Sequence, residues 1–449
     1  MTNTRSLTHP ECRRSCLRHH RHEQSLIDNT MKKGSRSLTR KEEVRAKAEQ
    51  YFQRHYPHES EPDQFLQSIT KFSQDEILLG NVLGRGAFGV VWEVNTIWTN
   101  DQVQRRGQYG RRPADAANRR FLADHCLRNG TQARYAIKAL SNRTVLNPKH
   151  AAQAVCGMAM EARLLSCLQP HPNIIKMRAV GNISPFHEDF FIVMDRLYGT
   201  LEDKIKEWKC QQKNLALRLV FPKRSRDLLE ERLVACHDLA SALEHLHSHK
   251  IIHRDIKPQN IGFNVRGDLT LFDFGLSREL PEATSTGESS HELFHMTGFC
   301  GSPRYMAPEV ARKEPYKESC DVYSYAILVW EMMSCSKPFK GFHVKDMEAK
   351  VWAGQNIRPD LSKMKRRFLD SVSKTSDIPS LLERAWAKEI ADRPSMSEIR
   401  YFFESSLSKP LSLGDRTRRR STFVFKHKRR VSASPSYEME KRLSEIDVY

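Results

Sequence analysis

His253-Arg254-Asp255-Ile256-Lys257-Pro258-Gln259-Asn260 sets a carboxylate, an ammonium and a carboxamide at fixed offsets. A second carboxylate follows in Asp273-Phe274-Gly275, and Gly84-Arg85-Gly86-Ala87-Phe88-Gly89-Val90-Val91 lies far upstream. Ile77-Leu78-Leu79 leads into these glycines, and Val90-Val91-Trp92-Glu93-Val94 alternates out of them. The triplet therefore sits between two strands, not at the mouth of a helix. Glycine at such a tip lets backbone approach a ligand without a side-chain clash. A lone glycine triplet is as often a plain turn; its place ahead of the two acidic stretches gives it weight.

The remaining elements fall in a definite order. Arg134-Tyr135-Ala136-Ile137-Lys138-Ala139-Leu140 reads as a strand, His150 to Leu168 has helical apolar spacing, and Phe190 to Met194 reads as a buried strand. Beyond Asp195 helices are expected at 226–249, 320–335, 378–387 and 395–405, with a polar basic loop near 209–226. No internal repeat is evident.

In this order the motifs resemble those of the protein kinase family. The resemblance runs from about residue 76 to 408 and implies an α+β, two-lobed fold: a small antiparallel-sheet lobe with one main helix, then a larger helical lobe. It implies ATP and Mg²⁺ as nucleotide and cation. Leu83, Gly84, Arg85, Gly86, Ala87, Phe88, Gly89, Val91 and Ala136 would surround the nucleotide, with Met194 as gatekeeper and Asp195 to Leu197 in a hinge near 195–198. Lys138 would bind phosphates and pair with Glu161. Asp255 would be the catalytic carboxylate, and Lys257 would neutralise the transferring phosphoryl group. Asn260 and Asp273 would hold the cation, with Asn260 also beside the nucleotide.

Lys257 and Gly301-Ser302-Pro303-Arg304-Tyr305-Met306-Ala307-Pro308-Glu309 resemble the serine/threonine class, so a Ser/Thr hydroxyl is the expected acceptor. Ser302 stands for the usual threonine. Asp321 to Glu331 and Leu381 to Ser395 resemble the tyrosine-kinase-like group, with Arg393 expected to pair with Glu309. Regulation is implied by Arg254, the companion of activation-segment phosphates. Thr297 is the nearest acceptor, and Thr284, Ser285, Thr286, Ser289 and Ser290 are further hydroxyls in the segment. One departure stands out: Gly262 replaces the leucine the family places beneath the adenine, which implies a roomier pocket and modest ATP affinity.

The net charge of +19 is uneven. Residues 1–40, 98–134 and 409–449 carry +6, +5 and +6, leaving +2 for the rest. The body is nearly neutral, and the basicity belongs to an N-terminal extension (1–75, mostly disordered with a short helix from Thr39), an insertion (98–132) and a disordered C-terminal tail (409–449). Thr39 and Glu42 would cap that helix, and Val44, Ala48, Tyr51 and Phe52 form its thin apolar stripe. Basic segments attract acidic proteins, anionic membrane surfaces or nucleic acid. In the tail, basic residues precede Ser421 and Ser432, a pattern that upstream kinases or nuclear import would read, and Phe423 and Phe425 interleave with the charge.

No run approaches the ~20 apolar residues of a membrane helix, and the N-terminus has no signal-peptide core. Ten scattered cysteines without a Cys-x-x-Cys pair suit a reducing cytoplasm or nucleus. Cys12 and Cys16 with His19, His20 and His22 offer a zinc set, against the blander reading of a basic tail. Three functions stay open: an active Ser/Thr kinase, a scaffold that uses the fold for binding, and an anion or nucleic-acid binder led by its basic segments.

Overall fold

A computed structural model describes residues 34–56, 62–86, 88–99, 113–147, 150–214, 222–281, 293–364 and 375–407. Ala87, the zinc set, the hydroxyls at 284–290 and the tail from 408 lie outside the described residues. All described residues belong to one compact unit ending at Pro410.

The small lobe is a six-stranded sheet. Its strands include β1 (Lys71–Phe72), β2 (Ile77–Arg85) and β3 (Gly89–Ile97). A short ribbon of β4 (Leu127–Arg128) and β5 (Gln132–Ala133) stands apart, and β6 (Tyr135–Leu140), β7 (Met177–Gly181) and β8 (Phe191–Asp195) complete the sheet. The order is β1-β7-β8-β6-β3-β2, with β1 parallel to β7 and the other neighbours antiparallel.

Strand alternation gives the sheet two unlike faces. Tyr135 and Ile137 join Phe72, Val94 and Val193 in a cluster on one face. Ala136 and Lys138, one residue out of phase, point to the other face and the helix Ala151–Cys167.

The basic insertion is partly structural. Its helix Pro113–Asp124 brings Leu122, and the following turn Cys126, into the cluster. Arg119 is almost wholly buried over the Phe72 ring (4.4 Å) and donates to the Lys71 carbonyl and the Glu76 carboxylate. A charge taken out of water needs such partners. An Arg-rich stretch reads as solvated surface because nothing in its spacing marks the one arginine that is a core residue.

The large lobe is built on the helices Leu201–Asn214, Pro222–Ser248, Ser319–Ser334, Ile378–Ala385 and Met396–Ser406. Ser319–Ser334 is buried all round, centred on the apolar run Tyr325 to Trp330, and ends on Cys335 in the left-handed region. Ser395 and Glu398 make a reciprocal cap for the last helix. Two ribbons frame the chemistry-bearing stretches. β9 (Ile251–Ile252) pairs with β12 (Arg278–Glu279), and β10 (Ile261–Phe263) with β11 (Leu269–Leu271).

Several boundaries differ from expectation. The N-terminal helix spans Gly34–His55, and the sheet already begins at Lys71. The basic loop near 209–226 is mostly helix, from Leu201–Asn214 and Pro222–Ser248, with residues 215–221 outside the described set. Periodicity sees only a buried stripe, and the polar end turns of these helices have none.

Candidate active site

Lys138 projects from the middle of β6 toward the helix Ala151–Cys167. Its Nζ donates to Glu161 Oε2 at 2.5 Å and to Asp273 Oδ1 at 2.7 Å. Burial disfavours the ammonium, but Asp273 and Glu161 outweigh that and raise its pKa. Burial likewise pushes the Glu161 carboxyl up, with Lys138 opposing. Asp273 has 40% of its side chain exposed in the cleft. Desolvation raises its carboxyl, yet the Lys138 ammonium prevails and holds it below the usual range. Asp273 also sits at φ +67°, a strained setting for a non-glycine residue.

Asp255 is ringed by donors. Lys257 Nζ donates to Oδ2 at 2.6 Å, Asn260 Nδ2 to the same oxygen at 2.9 Å, and Ser302 Oγ to Oδ1 at 2.8 Å. Asn260 Nδ2 also reaches the Asp255 carbonyl (3.0 Å), which leaves its amide oxygen to accept or to ligate. The ring of His253 takes the Asp255 amide on Nδ1 (3.4 Å) and contacts the Phe272 carbonyl through Nε2 (3.3 Å). That pattern fits a neutral imidazole protonated on Nε2, and burial lowers its pKa accordingly.

Asp321, at the head of the buried helix, holds this loop. Its carboxylate accepts the amides of His253 (2.7 Å) and Arg254 (2.8 Å), and His247 Nε2 lies at 3.1 Å. Burial raises its carboxyl, but His247 and the His253 amide outweigh that and hold it below the usual value. The sequence reading placed Asp321 in a helix without seeing this role.

Arg254 is buried, at φ +65°. It donates to the Leu276 carbonyl (2.7 Å), Thr297 Oγ1 (2.8 Å) and Tyr316 Oη (2.9 Å). Tyr316, absent from the sequence reading, also donates to the Thr297 carbonyl (2.8 Å).

The glycine hairpin runs beside the strand of Lys138. Gly84 and Arg85 pair with Val91 and Val90, and Gly86 N donates to the Gly89 carbonyl (2.8 Å). Gly84 borders open space and a Cβ on Gly86 would meet the Gly89 carbonyl at an ordinary 3.8 Å, but a Cβ on Gly89 would stand 2.9 Å from the Ala139 carbonyl. Gly89 thus serves the β3–β6 approach. Leu83 and Phe88 are exposed at the hairpin, Val91 is half-buried, and Ala136 faces Met194 across the β6–β8 ladder. The Asp195 side chain is spent on a two-point pair with Arg178 (2.6 and 2.7 Å).

The expected gap at Gly262 is filled. A Cβ there would lie 2.7 Å from Leu197 Cδ1 and 3.1 Å from the Gly199 carbonyl. The irregular segment after β8 presses onto β10: Tyr198 N donates to the Phe263 carbonyl (2.8 Å) and Phe263 N to the Gly199 carbonyl (3.0 Å). Gly262 is the residue that allows this approach, and Leu197 supplies the apolar surface the glycine lacks.

Among the described residues no group of three or more His, Cys, Asp or Glu could hold a metal ion by itself. Asp273 and the amide oxygen of Asn260 offer two hard oxygens. That donor set suits Mg²⁺ shared with a polyphosphate, not a cation caged by protein alone.

The protein kinase domain family matches residues 123–401. The chain belongs to the protein kinase family. The match starts beyond the glycine hairpin, which the sheet joins to the rest of the kinase domain through the β3–β6 ladder. The kinase domain is 32% identical over 221 residues to human serine/threonine-protein kinase Sgk2, covering 49% of this chain and 52% of that protein. It is 31% identical over 216 residues to yeast (Saccharomyces cerevisiae) cAMP-dependent protein kinase type 3, covering 48% and 46%. Identity to Xenopus laevis ribosomal protein S6 kinase 2 alpha is 34% over 180 residues, 38% of this chain and 23% of that protein. The chain spans about half or less of the length of these relatives. They do not support the finer grouping with tyrosine-kinase-like enzymes. The segments behind that grouping are core features: the buried helix Ser319–Ser334, and the Arg393–Glu309 pair at 2.6 and 3.0 Å. Core features separate subgroups poorly.

Proposed function

We propose that this kinase transfers the γ-phosphoryl group of ATP to serine or threonine hydroxyls of protein substrates. The observation that carries the reading is the joined set Glu161–Lys138–Asp273 beside Asp255–Lys257–Asn260. Lys138 binds the nucleotide phosphates, and Glu161 and Asp273 fix its ammonium. Asn260 and Asp273 would hold Mg²⁺, which supplies charge neutralisation at the phosphates when bound. Asp255 Oδ2 accepts the proton of the incoming hydroxyl as its oxygen bonds to the γ-phosphorus and the bond to ADP breaks. Lys257 offsets the charge that develops, and Ser302 steadies the other Asp255 oxygen. Most of the acceleration is positioning and electrostatics.

Phosphorylation of Thr297 is the proposed control, because its hydroxyl already lies on the Arg254 guanidinium, where a phosphate would bind more strongly. Beyond protein substrates, the basic tail (409–449) is proposed to hold the kinase near acidic partners, anionic membrane surfaces or nucleic acid in the cytoplasm or nucleus. No helix among the described residues is long and apolar enough to cross a membrane.

The test is transfer of labelled phosphate from ATP with Mg²⁺ to a mixed Ser/Thr/Tyr substrate. Label on Ser or Thr, lost by at least ~10²-fold in Lys138→Met and Asp273→Asn, is expected. Label on Tyr, or transfer that survives both changes, contradicts the reading. In the same assay Thr297→Ala is expected to lower activity.

A further inference from the structure

The helix Ala151–Cys167, which carries Glu161, has no polar face. Ala154, Cys156, Ala159, Met160, Ala162 and Leu164 are all buried, and at about 100° per residue they point in every direction around its axis. A helix apolar all round needs cover on all sides. The sheet covers one side. Residues ahead of the matched kinase domain cover another: the helix Gly34–His55 lies along it with Val44, Ala48 and Phe52 buried. Small side chains let two helices approach closely, so this contact is built into both sequences.

The N-terminal segment is pinned at both ends. Near its start Arg40 donates to the Val145 carbonyl (2.5 Å), and Lys41 pairs with Asp189 (2.7 Å). Farther on, Phe52 meets Phe186 edge to face at 5.5 Å. The Arg278 guanidinium lies 4.1 Å over the Tyr56 ring, and that of Arg163 lies 5.0 Å over Phe65. Arg163, two residues from Glu161, makes a two-point pair with Glu279 (3.1 and 3.0 Å). Arg278 and Glu279 form β12, just beyond Asp273-Phe274-Gly275. Gly157 of the same helix packs on the Gly275 backbone, where a Cβ would stand 3.3 Å from the Gly275 carbonyl.

We propose that residues 34–56 and 62–72 are a built-in clamp on the helix Ala151–Cys167, positioning Glu161 on Lys138 and tying that helix to the segment after Asp273. Its catalytic consequence rests on the kinase reading; its structural core does not. The clamp residues are positioning residues: none lies in the cluster around Asp255. Tyr56 and Phe65 touch both elements at once, through Arg278 and Arg163.

The test uses the full chain with Ala48→Glu, which puts a charge into the helix contact, and the milder Phe52→Leu. Amide hydrogen exchange is followed in the helices Ala151–Cys167 and Ser319–Ser334, and phosphate transfer in parallel. Exchange of Ala151–Cys167 is expected to rise ~10-fold or more while Ser319–Ser334 keeps its protection. If Ala48→Glu loosens both helices, the same selective rise in Phe52→Leu decides. Transfer is expected to fall in both variants, and the fall should vanish in a Glu161→Gln background, because the clamp acts through Glu161. Unchanged exchange of Ala151–Cys167 overturns the clamp whatever the activity. A loss of transfer that adds fully to that of Glu161→Gln also overturns it. No transfer in wild type counts against the kinase reading alone, since the exchange result still stands.

Discussion

A carboxylate with no exposed surface must fill its lone pairs, and Asp321 fills them with the amides of His253 and Arg254 and the His247 ring. Asp321→Asn keeps the shape but gives up the charge-assisted bonds. The expected cost is about 2–3 kcal/mol of stability, with transfer lowered because the Asp255 loop loosens. The sign with pH follows from its depressed carboxyl. Its stability contribution is fully present above the unfolded value of ~3.9 and is lost as pH falls through the lower folded one. Thermal melts should show a constant gap between wild type and variant at neutral pH, closing only in acid. An equal gap at every pH contradicts the assignment. Lys138, Asp255, Asn260 and Asp273 stood out in the sequence because they lie in motifs that resemble a known family, and the structure places Lys138 on Asp273 and Asn260 on Asp255. Asp321, Tyr316 and Arg119 did not: their partners are backbone groups or distant rings, and no local pattern announces them.

At the scale of elements, strand alternation was readable and helix ends were not. Gly262 shows where reading one position at a time fails. The missing leucine implied space, but Leu197 from the hinge fills it. Gly262→Leu is therefore expected to disrupt, not to restore. Its side chain would push against Leu197 and the Gly199 carbonyl, costing about 1–3 kcal/mol. Calorimetry of ATP binding, with thermal melts alongside, should show weaker binding and a lower melting temperature. Tighter binding at equal stability would mean that the floor is open after all. The insertion illustrates the same limit. Its charge was plain in the sequence, but the helix Pro113–Asp124 and its buried arginine depend on the sheet they cover.

For the whole molecule, most of the net charge lies outside the segments that carry the candidate site residues. Much of the +19 lies in terminal segments, and the tail beyond residue 408 carries +6. Removing residues 411–449 is expected to leave transfer to a small peptide unchanged while flattening the salt dependence of binding to a nucleic-acid oligomer. An unchanged salt slope would remove the tail from any such role.

The most direct measurement is single-turnover transfer by wild type and Asp255→Asn, with ATP binding followed in the same samples. Transfer to Ser/Thr should fall by at least ~10²-fold while ATP still binds, because the role proposed for Asp255 is on the acceptor and not on the nucleotide. Equal transfer in both proteins would contradict the assignment. Wild type that binds ATP yet transfers nothing, even after its activation segment is phosphorylated, would make the chain a scaffold.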